Sequence, residues 1–173
     1  MTSVRFSFNH MAIFQSSHFL HQMAQSLNFM SKKINQLKPF HLAIPVNDLE
    51  SAKNFYHGLL GCKIGRSSSE WIDFNFFGHQ LVCHLSKGLS NETTNLVDSE
   101  NIPVPHFGLV LSWDDFQSIT SDLHKKKIEF LIEPTVRFKG EVGEQATTFL
   151  RDPSGNAIEL KAFKNMDNLF RAD

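Results

Sequence analysis

A nine-residue pattern occurs twice in the chain, and this repeat constrains the fold more than any other sequence feature. The first copy covers residues 40–48 and the second covers residues 105–113. In each copy a histidine, His41 or His106, begins an apolar run of strand length, and a helix N-cap candidate follows six residues later. The two N-cap candidates are Asn47 and Ser112. A helical pattern comes next in both places, so the sequence predicts two strand–helix modules.

Strand alternation predicts the direction in which the two histidines point. Residues two apart in a strand share a face. His41 therefore shares a face with Ala43, and His106 shares one with Gly108, whereas the bulky apolar residues of each strand take the opposite face. Because Ala43 and Gly108 are small, they leave space beside the histidines. We therefore expect both histidines to line a cavity.

Composition excludes several classes of protein. The chain has 173 residues, which is enough for one domain or two small half-domains. Its net charge of -1 and its pI near 6.7 give no indication of a nucleic-acid partner. No apolar run approaches the ~20 residues that a membrane span needs. Two cysteines, Cys62 and Cys83, make no disulfide framework, so we expect reduced packing residues in a cytoplasmic protein.

The chain divides into an extension, one main domain and a tail. Residues 1–38 contain no Asp or Glu and show weak periodicity, so we expect a poorly ordered or accessory N-terminal extension. Residues 39–165 carry the repeat, and residues 166–173 resemble a loose C-terminal tail. Residues 86–105 are rich in Ser, Asn, Thr and Pro and are predicted to link the two modules.

Each module is predicted to contain one helix and four strands, which gives an α+β fold. A loop over 135–144 carries Arg137 and Lys139, and Asp152–Gly155 is a strong turn signal. The predicted strands are 40–46, 62–65, 71–76, 80–85, 106–111, 128–133, 145–150 and 157–163, and the predicted helices are 48–60 and 114–127.

The final strand adds a carboxylate to the two histidines. Glu159 shares its face with Ala157 and Lys161, so a polar residue again lies beside a small one. Two histidines and one carboxylate form the facial ligand set of non-haem Fe(II), and they also suit Zn, Ni or Mn. A lone histidine on a strand is more often a hydrogen-bonded core residue. The matching positions in a repeat favour a metal site of His41, His106 and Glu159, with His84 as a fourth candidate.

At these residues the sequence resembles the vicinal oxygen chelate superfamily, which contains glyoxalase I, the extradiol dioxygenases, and bleomycin- and fosfomycin-resistance proteins. The most specific segments are the two strand openings and the segment 152–160, Asp-Pro-Ser-Gly-Asn-Ala-Ile-Glu-Leu. Single-domain members of a predicted extradiol-dioxygenase branch are similar at 78–82 and 137–140 as well. The resemblance implies two βαβββ modules whose curved mixed sheet surrounds a metal cup, with His41, His106 and Glu159 as the ligands.

The resemblance also implies an activity. The expected protein is an extradiol-type dioxygenase, with Fe(II) as the metal, O2 as co-substrate and a small aromatic or enediol-like substrate. His84 or His79 would act as the acid–base residue. Arg137 and Lys139 would hold an anionic substrate. We also expect a homodimer without a nucleic-acid or membrane partner.

Two other functions remain open from the sequence. In glyoxalase I the last strand of the first module carries a fourth ligand, a glutamate, and we expect His84 at that place here. If His84 binds the metal, a glyoxalase-type lyase or isomerase becomes possible, with a non-redox divalent ion as Lewis acid. The other alternative is a resistance-type module that binds a small molecule without chemistry, although such proteins generally lack the metal trio.

Overall fold

A computed structural model of the chain describes residues 38–86, 93–97 and 100–171. The predicted N-terminal extension lies outside the described residues, apart from Lys38. Among the described residues, no helix is long and apolar enough to cross a bilayer. The strands are β1 (His41–Val46), β2 (Lys63–Ser67), β3 (Trp71–Phe76), β4 (His79–Leu85), β5 (Thr93–Val97), β6 (Glu100–Val104), β7 (Phe107–Leu111), β8 (Ile132–Arg137), β9 (Gln145–Arg151) and β10 (Ala157–Phe163).

The strands form two four-stranded mixed sheets with the same internal order. The first sheet is ordered β1-β4-β3-β2 and the second β7-β10-β9-β8. In each sheet the first and last strands of the module pair in parallel, and the remaining neighbours pair antiparallel. A hairpin of β5 and β6 forms a separate two-stranded sheet. This topology confirms the predicted α+β fold of two βαβββ modules.

Each module has one helix after its first strand. Helix α1 (Leu49–Lys53) continues as a π-helix over Asn54–Leu59, and α2 spans Trp113–Lys125. Ser112 caps α2 as predicted, because its hydroxyl oxygen accepts a hydrogen bond from the backbone N–H of Asp115. The cap of α1 is Asp48, one residue later than predicted.

Two segments differ from the sequence prediction. The strand expected near 128–133 is β8, Ile132–Arg137, which passes through Pro134. Because β8 is the outermost strand of its sheet, Pro134 can lack an N–H without losing a ladder hydrogen bond. Arg137 therefore ends a strand instead of lying on the predicted loop. The predicted linker 86–105 contains the β5–β6 hairpin, although its residues 87–92 and 98–99 lie outside the described part of the chain. The predicted tail includes one 3-10 turn, Met166–Asn168.

The bulky faces of both sheets belong to one buried core, which also includes residues from both helical segments. Tyr56 is fully buried in it, and its helical spacing from Ala52 and Leu59, which forms an apolar stripe, predicts this burial. By strand alternation, the opposite faces of the sheets, which carry the candidate ligands, point away from this core. The strand residues of the buried core are Ile44, Val46, Ile72, Phe74, Phe76, Leu81, Cys83, Leu109, Ala146, Leu150, Ile158, Leu160 and Ala162.

The turn between β9 and β10 joins the two modules. The carboxylate of Asp152, which is only 4% exposed, accepts a hydrogen bond of 2.9 Å from the Tyr56 hydroxyl of the first module. In the other direction, the side-chain amide of Asn156 donates to the carbonyl oxygen of Pro45 at 2.9 Å. Burial, and then the Asp152 carboxylate, raise the pKa of Tyr56 far above its usual range. Tyr56 therefore acts as a neutral hydrogen-bond donor within the core.

Cys62 and Cys83 are free and buried, which leads to a testable prediction. Burial raises the pKa of the Cys62 thiol to about 11 and that of Cys83 to about 12. We expect iodoacetamide to leave both thiols unmodified in the folded protein at about pH 8 and to alkylate both in denaturant, as counted by mass spectrometry. Above about pH 9 the unfolded chain loses thiol protons that the folded chain keeps, so the free energy of unfolding should fall as pH rises. Rapid alkylation of the native protein would contradict this assignment.

Candidate metal centre

His106 and Glu159 lie together on the second module. His106 immediately precedes β7, and Glu159 is on β10, opposite Gly108 of β7 in the parallel ladder. The Nε2 atom of His106 is 3.4 Å from Oε2 of Glu159. The His106 ring also packs edge-on against Phe149, with ring centroids 5.1 Å apart. The structure therefore brings two of the three predicted ligands into contact distance.

The hydrogen bond on the far side of the His106 ring determines which nitrogen can bind a metal. Nδ1 of His106 lies 2.7 Å from the carbonyl oxygen of Pro103. Because a carbonyl oxygen only accepts, Nδ1 must carry the proton. In the neutral ring Nε2 therefore carries a lone pair and no proton. It faces Oε2 of Glu159, which is also an acceptor without a proton. Two acceptors at this distance suit a shared cation, so the donor set fits a divalent metal.

Glu159 is held by its other oxygen. Oε1 accepts a 2.6 Å hydrogen bond from the hydroxyl of Thr147, and it forms a 3.1 Å ion pair with Nζ of Lys161. Both partners contact Oε1, so Oε2 stays directed at His106. Within the described part of the chain, this arrangement fixes the carboxylate through Oε1 and leaves Oε2 for a metal. The side chain of Glu159 is 14% exposed, so these contacts are largely shielded from water.

His41 is oriented by a chain of side chains on the first sheet. Its Nδ1 is 2.7 Å from Oε1 of Gln80, the Nε2 amide of Gln80 donates to Oδ2 of Asp73 at 3.3 Å, and Arg66 pairs with the same oxygen at 3.6 Å. Because Asp73 can only accept when ionised, the amide oxygen of Gln80 must face His41. Nδ1 of His41 therefore donates, and its Nε2 is left as a lone pair, as in His106.

The strand registers identify the position that matches Glu159 in the first module. His41 is the Cα partner of Gln80, and Ala43 is the partner of Val82. In the second module Gly108 is the partner of Glu159. Since Ala43 and Gly108 are equivalent in the repeat, Val82 is the counterpart of Glu159. His84 lies two residues further along the same face and matches Lys161.

The remaining predicted residues are more widely spread. His84 is exposed and pairs with Trp71 of β3, while His79 is the first residue of β4. Arg137 ends β8 on the face that carries Thr147 and Lys161, and Lys139 lies exposed in the following loop. Within the described residues, no three His, Cys, Asp or Glu side chains lie together as a metal site. One chain therefore brings together His106 and Glu159, but not the whole predicted set.

The β5–β6 hairpin forms a wall beside the pair. Ile102 of β6 packs with Ile132 and Phe149 in a second buried cluster, which lies on the sheet face that carries Glu159. An open cleft of ≈ 410 Å³ extends between β1 and residues 103–107 and includes His106. Sequence composition indicated only a linker here, yet this segment supplies both the Pro103 carbonyl and an apolar wall.

Sequence reasoning assigned no role to four further residues of the site: Asp73, Gln80, Thr147 and Lys161. A partial signal existed for two of them, because alternation places Lys161 on the face of Glu159 and Gln80 on that of His84. Asp73 is a buried acid between two core residues, Ile72 and Phe74, and such an acid needs a polar partner. Thr147 gives no signal without the β9–β10 register.

Gly108 allows β7 to approach β10 closely at this site. A Cβ atom added at Gly108 would overlap the backbone carbonyl oxygen of Glu159. We expect Gly108→Ala to push the strands apart, to lower the free energy of unfolding by about 1–3 kcal/mol and to weaken metal binding. Urea unfolding and metal titration would measure these effects. Gly58→Ala is the control, because an added Cβ there meets nothing within 4 Å; equal stability of the two variants would contradict the prediction.

Comparisons with known proteins agree with this architecture. The family model described as "Glyoxalase/Bleomycin resistance protein/Dioxygenase superfamily" matches residues 38–160. A protein of that description from Alicyclobacillus acidocaldarius is 36% identical, with 79% of this chain and 98% of that chain covered and a TM-score of 0.66. No curated protein sequence matches the chain.

More distant solved structures share the fold. The fosfomycin resistance protein FosX from Listeria monocytogenes is 18% identical, with 78% of this chain and 97% of that chain covered and a TM-score of 0.55. A lactoylglutathione lyase from Agrobacterium tumefaciens is 15% identical, with 74% and 95% covered and a TM-score of 0.52. At these identities the likeness supports the fold and leaves the reaction open.

Proposed function

Because the chain belongs to the glyoxalase/bleomycin resistance protein/dioxygenase superfamily, we propose that it is an extradiol-type dioxygenase that uses Fe(II) and O2 on a small aromatic or enediol-like substrate. The observation that carries this proposal is Val82 at the position matching Glu159. A valine cannot bind a metal, so the protein contributes three ligands rather than the four expected for a glyoxalase. Three protein ligands leave room for a chelating substrate and O2.

The proposed ligands are Nε2 of His41, Nε2 of His106 and Oε2 of Glu159. When bound, Fe(II) would supply the electron chemistry with O2 that side chains lack. The protein's part is to keep the ligands fixed through Gln80 on His41 and through the Pro103 carbonyl on His106. The apolar wall of Ile102 and Phe149 would keep water from the reacting oxygens.

Proton transfer and substrate binding are assigned to the polar residues around the ligands. His84 shares the face of β4 with Val82 and Gln80, so it is the first candidate to take a proton from a substrate hydroxyl, and His79 at the start of β4 is the second. Arg137 ends β8 on the face of Lys161, where it suits an anionic group of the substrate. Lys139 lies on the loop that follows β8, and it would contact the same anionic group when this loop closes over the substrate.

We also propose that the metal site is completed by a second copy of the chain. Within one chain the bulky faces of both sheets share a core, and His41 is not grouped with His106 and Glu159 among the described residues. Strands β1 and β7 are each the outer strand of a sheet, with one edge unpaired among the described residues. A two-fold symmetric homodimer would bring His41 of one protomer to His106 and Glu159 of its partner.

Mixing two inactive variants tests the shared site. His41→Ala and Glu159→Ala should each fail to hold metal alone, but a mixed dimer combines the intact His41 of one chain with the intact His106 and Glu159 of the other. Random re-association should restore about one quarter of the wild-type metal sites, since half of the dimers are mixed and each has one complete site. Metal content after unfolding, mixing and refolding gives the measurement. No recovery with dimeric protein would refute the shared site.

The activity is tested with anaerobically purified, iron-loaded protein in an oxygen electrode. A panel of catechols and hydroxyquinols should cause O2 uptake in the wild type, and Glu159→Ala should abolish it. Val82→Glu tests the argument from Val82. A glutamate there should act as a fourth protein ligand, occupy one coordination position of the metal and suppress O2 uptake while the metal is retained. Turnover of a hemithioacetal without O2, best with Ni or Zn, would show instead that the protein is a glyoxalase-type lyase. This lyase is the second candidate function because His84, on the same face of β4 as Val82, offers a further metal ligand.

A further inference from the structure

Lys161 occupies an unusual place for a lysine, on the site-facing side of the central strand pair of the second sheet. It is two residues beyond Glu159 on β10, so their side chains share a face about 7 Å apart along the strand. Its Cα partners are Thr147 on β9 and Val110 on β7. The Lys161 side chain is 30% exposed, whereas that of Lys125, in a surface ion pair with Asp122, is 72% exposed. Its charge is therefore partly withdrawn from water.

The contacts of Lys161 leave part of its ammonium group available. Among the residues that the structure describes, its polar contact is the ion pair with Oε1 of Glu159 at 3.1 Å. An ammonium has three N–H donors. The hydroxyl of Thr147 already donates to the same oxygen at 2.6 Å, so Glu159 does not need Lys161 to hold that oxygen in place. An additional role for the lysine is therefore consistent with the geometry.

Charge balance indicates what that role is. The carboxylate of Glu159 is neutralised by Lys161 before any metal binds. A divalent ion held by Glu159 and two neutral histidines carries one uncompensated positive charge, and Lys161 adds a second. In a partly shielded site this excess favours a ligand with two negative charges over a neutral one.

From this juxtaposition we infer that Lys161 is a specificity-determining residue, which binds a carboxylate or similar anionic group on a substrate whose two oxygens chelate the metal. The inference rests on the proposed metal site and narrows its substrate class to anionic chelators. Lys161 contacts the anionic end of the substrate, and the metal contacts the oxygen pair. Arg137 of β8, two strands away on the same face of the sheet, is a second cationic side chain on this surface.

Binding of a matched pair of chelators to cobalt-loaded, full-length protein tests the inference without turnover. Protocatechuate and its methyl ester have the same ring and diol, and they differ in the carboxylate charge. Under anaerobic conditions the visible spectrum of Co(II) reports their coordination. We expect the acid to bind about tenfold to 100-fold more tightly than the ester, the range of one hydrogen bond to a charged group. Lys161→Met should bring the two affinities close together, and Lys161→Arg should keep the preference.

Lys125→Met is the matched control, because it removes a lysine from an ion pair outside the site and should behave as the wild type. An unchanged preference in Lys161→Met, or no preference in the wild type, overturns the inference and leaves the metal site standing. Loss of cobalt from Lys161→Met but not from Lys161→Arg would make Lys161 a positioning residue for Glu159, which also overturns it. Absence of cobalt from the wild type would refute the proposed metal site itself.

Discussion

His106→Ala protein should bind a divalent metal at least about 100-fold more weakly than the wild type, a larger loss than the 10–100-fold typical of removing an outer hydrogen-bond partner. The reason is the donor arrangement around Glu159. Among the residues that the structure describes, Oε2 of Glu159 accepts no hydrogen bond, and it faces Nε2 of His106 at 3.4 Å. Without the imidazole a cation at this place would therefore exchange a protein ligand for water. Competition with a coloured chelator would give the dissociation constant.

The His106 variant needs a control for the loss of any histidine beside a carboxylate. His124 of α2 provides it, because its Nε2 lies 3.1 Å from Oε2 of Glu133 on β8, and both of these side chains are exposed. His124→Ala should leave metal affinity unchanged. Thermal unfolding of both metal-free variants would show whether the lost ring contact with Phe149 matters for stability. Full metal occupancy in His106→Ala protein would rule out the proposed centre.

The direction of individual side chains could be predicted from the sequence, because strand alternation is a local property. Alternation assigned His106 and Glu159 to one surface, and the structure places them 3.4 Å apart. The space expected beside Gly108 is instead filled by the backbone of Glu159. The packing of Tyr56 in the core was equally predictable from helical spacing. These predictions required only the period of the strand or helix, which each segment contains within itself.

The counterpart of Glu159 in the first module could not be predicted, because it depends on the pairing of β1 with β4. A shift of two residues along a strand leaves every side chain on the same face, so alternation cannot distinguish Val82 from His84. The register is set by the helix, turns and two strands that lie between β1 and β4 in the chain. Only the structure shows that Ala43 pairs with Val82, and the proposal of three protein ligands rests on this pairing.

The sequence also did not predict the full extent of β8 or the β5–β6 hairpin, because both depend on contacts with neighbouring strands. The predicted strand ended at residue 133, but β8 continues through Pro134, whose missing N–H is harmless on an outer strand, and Arg137 therefore belongs to the sheet. The β5–β6 hairpin has the Ser, Asn and Thr content of a linker. It is supported by the contact of Ile102 with Phe149, which no local pattern reveals.

Asp152→Ala is expected to lower the free energy of unfolding by about 3–5 kcal/mol, the largest stability loss among the changes considered, because four donors would lose their acceptor in a buried place. Oδ1 of Asp152 accepts from the backbone N–H groups of Ser154 and Asn156 at 2.9 and 2.8 Å. Oδ2 accepts from the Tyr56 hydroxyl at 2.9 Å and from the side-chain amide of Asn156 at 2.7 Å. The melting temperature should fall by roughly 10 °C or more, measured by circular dichroism.

Two further variants separate the parts of this network. Tyr56→Phe removes one donor and leaves Oδ2 bonded to Asn156, so it should cost only about 1–2 kcal/mol. Asp122→Ala removes an exposed carboxylate paired with Lys125, and because water screens that pair it should leave the stability nearly unchanged. Because Asp152 lies at the turn that leads into β10, loosening it should also weaken metal binding through Glu159. A stable Asp152→Ala protein with normal metal affinity would show that the two modules hold together, and orient β10, without this turn.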